Sequence, residues 1–566
     1  MKNLLLSLSL TLTLSLLLLG QQANASHILG GEITWECDTT GAYIFKLKVY
    51  RECTGIPFAF DNSHSLQVFG TPLPLNAQNQ AVSSIALLPD SGKWLARNKG
   101  QLNPNCNTSS GSPSYTCSNA DQIVQEFYFQ SAPVNLQGTP SPQGWDLVWT
   151  APCCRPNISN LNVAGTLIVR AKMLPNPNRS TIAPCLDNSP HFQEAPEFLF
   201  CRGLDASNVY TTMDADGDSL SYSFDRVYNT PASNPNPIAY AMGYNYNNPT
   251  PDQSFHNSNV AASLNTNNGL LKFKVNNGLG FLDYAIVVKV ESYRDGRKNA
   301  EVIRDLPISI ADCPTLANGV ANQAPIFNPP FNQGGSPSFK DSILVGNYFS
   351  ANINVSDTNA FSTGGQEVSL QILSDQIKEG YTFQGNCPTP GDTSCAYVFS
   401  GLTPVLDSTT GLYEYKQNSV VGGSLRWAPD CSDLGPNGEP KTYYFALRAA
   451  DDYCPIPAVS YEVLEVTVLP NPNNPCQQIT ELEDDQVTLD QLTLFPNPTK
   501  GHLRLQLPKS GQITIQVFDI QGKLMQGHAF TNKKQIDFEL PERLGVYLLE
   551  ITNQAGERSF RKVVKQ

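Results

Sequence analysis

Charge is scarce in this chain of 566 residues: only 15% are Asp, Glu, Lys or Arg, and acids outnumber bases by 50 to 37. The resulting formal charge of −13 repels phosphate backbones and argues against nucleic acid as a partner. Histidine is also sparse, at six scattered positions (27, 64, 191, 256, 502 and 528), and no Cys-x-x-Cys occurs. The spacing that zinc centres need is therefore absent. Beyond Leu19 no stretch is apolar and long enough to cross a bilayer. Turn chemistry is what abounds, with 42 Pro and 40 Gly. That composition suits short strands and tight reversals better than helix bundles. The length exceeds what one core supports, so several domains are expected.

At the N-terminus, Lys2 precedes an apolar run from Leu4 to Leu19 and the small-x-small sequence Ala23-Asn24-Ala25. Residues 1–25 read as a secretory signal peptide, with Ser26 the first mature residue, leaving a soluble, extracytoplasmic chain without a transmembrane segment. Fourteen cysteines in an exported protein point to disulfides. Proximity in sequence suggests Cys106 with Cys117, Cys387 with Cys395, and Cys431 with Cys454. The adjacent Cys153 and Cys154 are expected to take different partners.

The last seventy or so residues carry the sharpest signal. Leu494-Phe495-Pro496-Asn497-Pro498-Thr499-Lys500-Gly501 opens the stretch. Ile513, Ile515 and Val517 then alternate with polar residues, the period-2 pattern of a half-buried strand, and Asp519 and Gly522 mark a turn. Gly545-Val546-Tyr547-Leu548-Leu549-Glu550-Ile551 follows, then a basic end that includes Lys562. In this order, these elements resemble the type A C-terminal sorting domain of the Bacteroidetes type IX secretion pathway. The resemblance implies that Phe495, Pro496, Asn497, Pro498, Gly501, Asp519, Gly522, Gly545, Tyr547 and Lys562 form the sorting motif. It also implies type IX machinery as a partner, passage across the outer membrane, removal of the tag, and release or anchoring at the cell surface.

Between the two ends, the pattern predicts an all-β chain. Residues 26–184 form a first module, in which Phe45, Leu47 and Val49 alternate with Lys46 and Lys48 in a hairpin with one buried face. The string from His27 to Cys53 resembles the opening module of large Bacteroidetes surface proteins, some associated with gliding motility. Residues 185–313 and 314–470 share an order of elements: a Pro-flanked start (Pro190, Pro325), a strand entered at Asp218 or Glu367, and a long strand ending at Tyr293-Arg294-Asp295 or Ala450-Asp451-Asp452. They resemble tandem immunoglobulin-like or cadherin-like β-sandwiches. Chance likeness between Pro-flanked strands is the competing reading. Residues 471–490 form an acidic linker, and 491–566 a terminal β-sandwich.

Asp214, Asp216 and Asp218 alternate around Gly217, a spacing that can gather oxygens for a hard cation such as calcium. They look like the Asp-rich stretch of bacterial cadherin-like repeats, a resemblance that implies calcium-stiffened junctions. The plain alternative is a polar turn entering a strand. Gly217-Asp218-Ser219-Leu220 spells an esterase signature, but the Asp61-x-x-His64 pair precedes Ser219 where that chemistry has it late, so the motif is read as a decoy. Ile28-Leu29-Gly30-Gly31 resembles the activated end of trypsin-like proteases without their other segments. Likewise, His27 would have to be the first residue to act as an N-terminal copper ligand. Trp145 and Trp149 flank Asp146 closely enough to form a sugar-stacking platform if exposed, or core if buried.

The expectation is a non-enzymatic structural or adhesive protein, secreted or on the outer face of the outer membrane, with calcium possible and surface proteins or extracellular glycans as partners. A carbohydrate-binding surface protein is the alternative, and a secreted hydrolase the third reading.

Overall fold

Period-2 burial marks many strands of this protein, while others, such as Arg297–Ala311, are buried along most of their length. In Ala42–Glu52, Tyr43, Phe45, Leu47 and Val49 are fully buried while Ile44, Lys46 and Lys48 face outward. In Phe349–Ser356, Phe349, Ala351, Ile353 and Val355 are buried and Ser350, Asn352 and Asn354 exposed. β-branched and aromatic residues on the inner face suit a pleated, half-buried surface, and Asn and Ser suit the wet one. The computed structural model describes residues 28–566 except 39, 54–62, 97–100, 103–105, 107–115, 118–122, 164, 177–184, 186, 194–195, 232–234, 314, 316–318, 320, 358–365, 375, 378–394, 407–412, 474–475, 477–491, 521–522 and 554–557. The expected signal peptide and Ser26 thus lie outside the described residues. The chain is all-β, as the sequence predicts. Among the described residues, no helix is long and apolar enough to cross a membrane.

The first sheet closes on itself. Its antiparallel order runs Ile28–Cys37, Ala42–Glu52, Val124–Gln130, Ser84–Pro89, His64–Phe69, Trp145–Cys154, Thr166–Met173 and Arg297–Ala311. Arg297–Ala311 then pairs back to Ile28–Cys37 at Gly31 and Asp305. Eight strands thereby form a ring filled by Trp35, Phe45, Leu47, Phe127, Trp149 and Val169, among others. Closure demands a close approach: a Cβ on Gly30 would lie 1.7 Å from the Asp305 carbonyl oxygen. Next to that contact, the fully buried Arg155 forks onto the Asp305 carboxylate, a paired charge in the wall of the ring.

Arg297–Ala311 is 15 residues long and serves two structures at once. Beyond the ring it pairs along Leu282–Arg294, which in turn pairs with Ser219–Phe224. These strands pack over the small sheet of Asp205–Val209, Leu270–Lys274 and Val260–Leu264. Phe200, Phe273, Leu271, Tyr222 and Ile286 join the ring's residues in one continuous core. The sheet therefore draws strands from both sides of the boundary expected at 184.

Residues 319–473 contain a two-sheet sandwich. Ile326–Asn328, Phe349–Ser356, Val420–Trp427 and Tyr397–Phe399 make one sheet. The other is formed by Lys340–Leu344, Val459–Leu469, Lys441–Ala450, Glu367–Leu373, Tyr413–Asn418 and Val405–Leu406. Trp427 bridges them, edge-on to Tyr443 at 5.0 Å and to Phe445 at 6.0 Å between ring centroids. This sandwich is fused to what precedes it. Val209 and Leu270 pack with Leu373, Ala446, Tyr461 and Val463, and Ile456 enters a cluster with Tyr50, Leu102, Val124 and Leu306. Arg448 pairs with Glu197 at 3.4 Å, and the amide of Asn268 donates to Glu465 at 3.0 Å. By its internal contacts, the chain up to Asn474 is one compact unit and Pro475–Gln566 a second.

Among the described residues, four disulfide pairings are defined: Cys37–Cys185, Cys53–Cys117, Cys106–Cys454 and Cys201–Cys313. Pairing by sequence proximity fails for Cys106 with Cys117 and for Cys431 with Cys454. Sheet topology is the reason. Cys53 ends its strand with its N–H donating to the Ile123 carbonyl, which brings the Cys117 segment to it. Cys106 is left to reach the segment that also delivers Ile456. Cys395 and Cys431 are both disulfide-bonded. Cys387 lies outside the described residues, as do the side chains of Cys153 and Cys154.

Candidate functional site

The terminal unit is a five-stranded sheet in which His502–Asp519 pairs with Thr493–Phe495, Leu524–Glu539 and Gly545–Asn553, and Gly545–Asn553 pairs with Arg558–Lys565. Leu503, Leu505, Ile513, Ile515, Val517, Tyr547, Leu549 and Ile551 form its core. The motif residues turn out to be fasteners. The amide of Asn497 accepts from the Val564 N–H at 3.0 Å and donates to the Lys562 carbonyl at 2.8 Å. Phe495–Pro496 and Asn497–Pro498 are cis peptides. Gly501 has φ +133°, and a Cβ there would press on Lys565. Asp519 accepts from the Lys523 N–H at 2.9 Å, and the Tyr547 hydroxyl donates to the Arg543 carbonyl at 2.8 Å. Gly545 opens its strand, Lys562 points to solvent, and Gly522 lies outside the described residues. The opening Pro-Asn-Pro turn is thus stitched to the last strand.

The second candidate is the acidic cluster. Asp214 caps its own turn, its Oδ1 accepting from the N–H groups of Asp216 at 2.9 Å and Asp218 at 3.3 Å. Asp216 accepts from the backbone of Asn188 at 2.7 Å and from its amide at 2.8 Å. Asp218 accepts from Arg294 Nε at 2.6 Å and from the Asn299 amide at 3.0 Å. Arg294 also reaches Asp216 at 3.0 Å and a fourth carboxylate, Asp187, at 2.8 Å. Asp187 went unread in the sequence because nothing local marks it. Its place is set by tertiary contacts: Trp35 Nε1 donates to its carbonyl at 3.0 Å, and the Cys37 N–H to Asn188 at 2.7 Å, beside the Cys37–Cys185 bridge.

Crowding these carboxylates shifts them apart. Burial first, then the charges of Asp214 and Asp218, push Asp187 up to about 9. Burial and the Asp218 charge push Asp214 to about 7. Burial also acts on Asp216, but the hydrogen bonds from Asn188 outweigh it and hold that group below its ordinary value. The Oδ2 atoms of both Asp187 and Asp214 are buried without a hydrogen-bond partner.

The sandwich of residues 319–473 has a knot at the matching register. Ser219 pairs with Tyr293 as Ser369 pairs with Ala450, so Arg294 and Asp451 occupy equivalent positions. There Asn322 donates to Asp451 at 2.7 Å and Gln366 to Asn322 at 2.9 Å. Asp451 also accepts from the N–H groups of Tyr453 and Ala458, both at 3.0 Å.

Two other sequence candidates do not come together. Trp145 and Trp149 are each 1% exposed, Trp145 donating to the Pro72 carbonyl at 2.8 Å and Trp149 lining the ring. Strand alternation turns both inward, so of the two readings the core one holds and the exposed stacking platform does not form. His64 is wedged against Phe129 and Trp149, five strands from Ser219 in the sheet order, and Asp61 lies outside the described residues.

Residues 493–566 match the family described as "Secretion system C-terminal sorting domain". The tail is a type IX sorting domain, and the chain is a protein exported by that system to the exterior. No curated protein matches the sequence. Among solved structures, titin domains A168–A170 share 10% identity, covering 67% of this chain and 99% of theirs, at a TM-score of 0.14. Dimeric latent PorU from Porphyromonas gingivalis shares 14%, covering 88% of this chain and 41% of its own, also at 0.14. Likenesses at that level carry no argument.

Proposed function

We propose that this protein is a structural or adhesive element delivered by the type IX route to the cell surface or the surrounding matrix. The supporting observation is the way residues 28–474 are built. Ring and sandwiches share cores and strands, and Cys106–Cys454 ties positions 348 residues apart. A stiff, disulfide-fastened unit of paired sheets offers broad faces for contact with other surface proteins or extracellular polymers. Among the described residues, the base and nucleophile of the esterase signature, His64 and Ser219, stand five strands apart, and the reading is non-enzymatic.

The test is genetic. Cells producing the chain with and without residues 493–566 are fractionated, and attachment to surfaces and to one another is measured. The intact protein should reach the exterior, shortened at its C-terminal end, and support attachment, while the truncated form stays in the periplasm. Normal export of the truncated form, or unchanged attachment when the whole gene is deleted, would overturn the reading.

A further inference from the structure

We infer that one face of the second sandwich binds an acidic polysaccharide, with Arg426 taking a sugar carboxylate and Phe399, Tyr348 and Tyr397 stacking on sugar rings. The inference rests on the adhesive reading above and names the extracellular polymer. The face is the outer side of the sheet made by Ile326–Asn328, Phe349–Ser356, Val420–Trp427 and Tyr397–Phe399. In the same sandwich the other sheet uses its outer side for the fusion, where Leu373, Ala446, Tyr461 and Val463 pack with Val209 and Leu270. This one stays open. Tyr348 is 57% exposed and Phe399 43%, and Ser350, Asn352 and Asn354 also face solvent.

Strand register assembles the surface. Ser350 and Tyr397 flank Arg426 on its two sides, and Asn352 and Phe399 flank Ser424. Tyr348 leads into Phe349–Ser356, and its hydroxyl lies 3.3 Å from that of Tyr397. The Arg426 guanidinium carbon sits 4.0 Å from the centre of the Phe399 ring, and the Ser350 and Ser424 hydroxyls are 3.0 Å apart. A Cβ on Gly422 would lie 2.5 Å from the Asn354 amide oxygen, so glycine there lets Asn354 lie across the sheet and keeps the surface flat. Four strands make a strip about 14 Å wide, enough for an extended polymer to lie along.

Chemistry selects the occupant. The rings are interleaved with hydroxyls and amides instead of forming the contiguous apolar patch that marks a protein or lipid contact. Such rings accept the C–H side of a sugar, while Asn and Ser meet its hydroxyls. Charge then chooses among sugars. Among the described residues of this face, Arg426 carries the only charge, on a chain whose net charge is −13. Arg155, Arg304 and Arg448 each pair with a carboxylate, whereas Arg426 has no such partner among the described residues. Stacked on Phe399, it holds its planar fork of donors ready for a carboxylate, which a guanidinium matches with two parallel hydrogen bonds.

The mature full chain is run through affinity gels that hold polygalacturonate, its methyl ester, or dextran. Polygalacturonate should retard it most, and the two uncharged polymers much less. Arg426→Gln should lower affinity for polygalacturonate about tenfold and bring it level with the methyl ester, because the charge-assisted contact is gone. Phe399→Ala should weaken binding to the acid and the ester alike, since stacking serves both. Met242→Ala, exposed elsewhere on the chain, should change nothing. Circular dichroism checks each fold, and Tyr348→Ala stands in for Phe399→Ala if that variant is disordered. No retardation by polygalacturonate, or equal retardation by dextran, would refute the acidic sugar. Unchanged retardation of Arg426→Gln or of the ring variant would refute the face. These readouts use purified protein, so they separate from the adhesive reading: normal attachment by cells lacking the gene overturns that reading alone.

Discussion

At the scale of single residues, buried carboxylates set how this protein responds to pH. Asp451 is 3% exposed, and burial holds its carboxyl at about 8 against an ordinary value of 3.8, despite three hydrogen bonds that favour the ionised form. The folded chain therefore keeps a proton that the unfolded chain releases above about pH 4. Stability from this group is fully present below the unfolded value and is lost as pH rises through the folded one. Asp451→Asn removes that dependence. The unfolding free energy of the parent should fall relative to the variant between pH 5 and pH 8, with a slope of up to about 1.4 kcal/mol per pH unit, read from denaturant melts at each pH. A difference that stays constant over that range would show that Asp451 is ionised throughout. Residue identity in the sequence could not reveal this, because Asp451 and Asp452 look alike there. Only the fold makes one buried and leaves the other to accept from the Glu367 N–H at the rim.

At the scale of elements, strands were easy to read and their neighbours were not. Alternation in Ala42–Glu52 and in His502–Asp519 marks both strand and inner face, because side chains project with a period of two. The same alternation cannot say which strand lies alongside, and disulfides follow neighbours. Cys106 and Cys117 are 11 positions apart in sequence, yet each bonds elsewhere. The Cys106–Cys454 bridge should stabilise the fold by about 2–4 kcal/mol, mainly by restricting the unfolded chain. Cys454→Ser, Cys106→Ser and the double substitution should then lower the melting temperature equally, because each breaks the same bond. If the double variant lost the sum of the two, the cysteines would not be partners. Cys431→Ser should not reproduce the pattern, whereas pairing by proximity would require it to.

At the scale of the whole molecule, the sequence separated the sorting tail cleanly but could not show how firmly the preceding modules are joined. The tail was legible because its motif is local: Asn497, Gly501 and Asp519 fasten turns within one small sheet. The fusion was hidden because Arg297–Ala311 reads like any apolar strand, and nothing in its residues announces that it serves a ring on one side and a sandwich on the other. Two cuts should therefore behave differently. Ending the chain at 474 removes a unit with its own core, so the melting temperature of the remainder should stay within a degree or two of its transition in the full chain. Ending it at 313 strips Ile456 from the cluster around Tyr50 and Leu306, exposes Val209 and Leu270, and leaves Cys106 without its partner. That fragment should melt several degrees lower and bind a hydrophobic dye, because apolar surface normally covered is returned to water. If both fragments melted alike, the shared cores would be contributing little, and the segments would behave as independent beads.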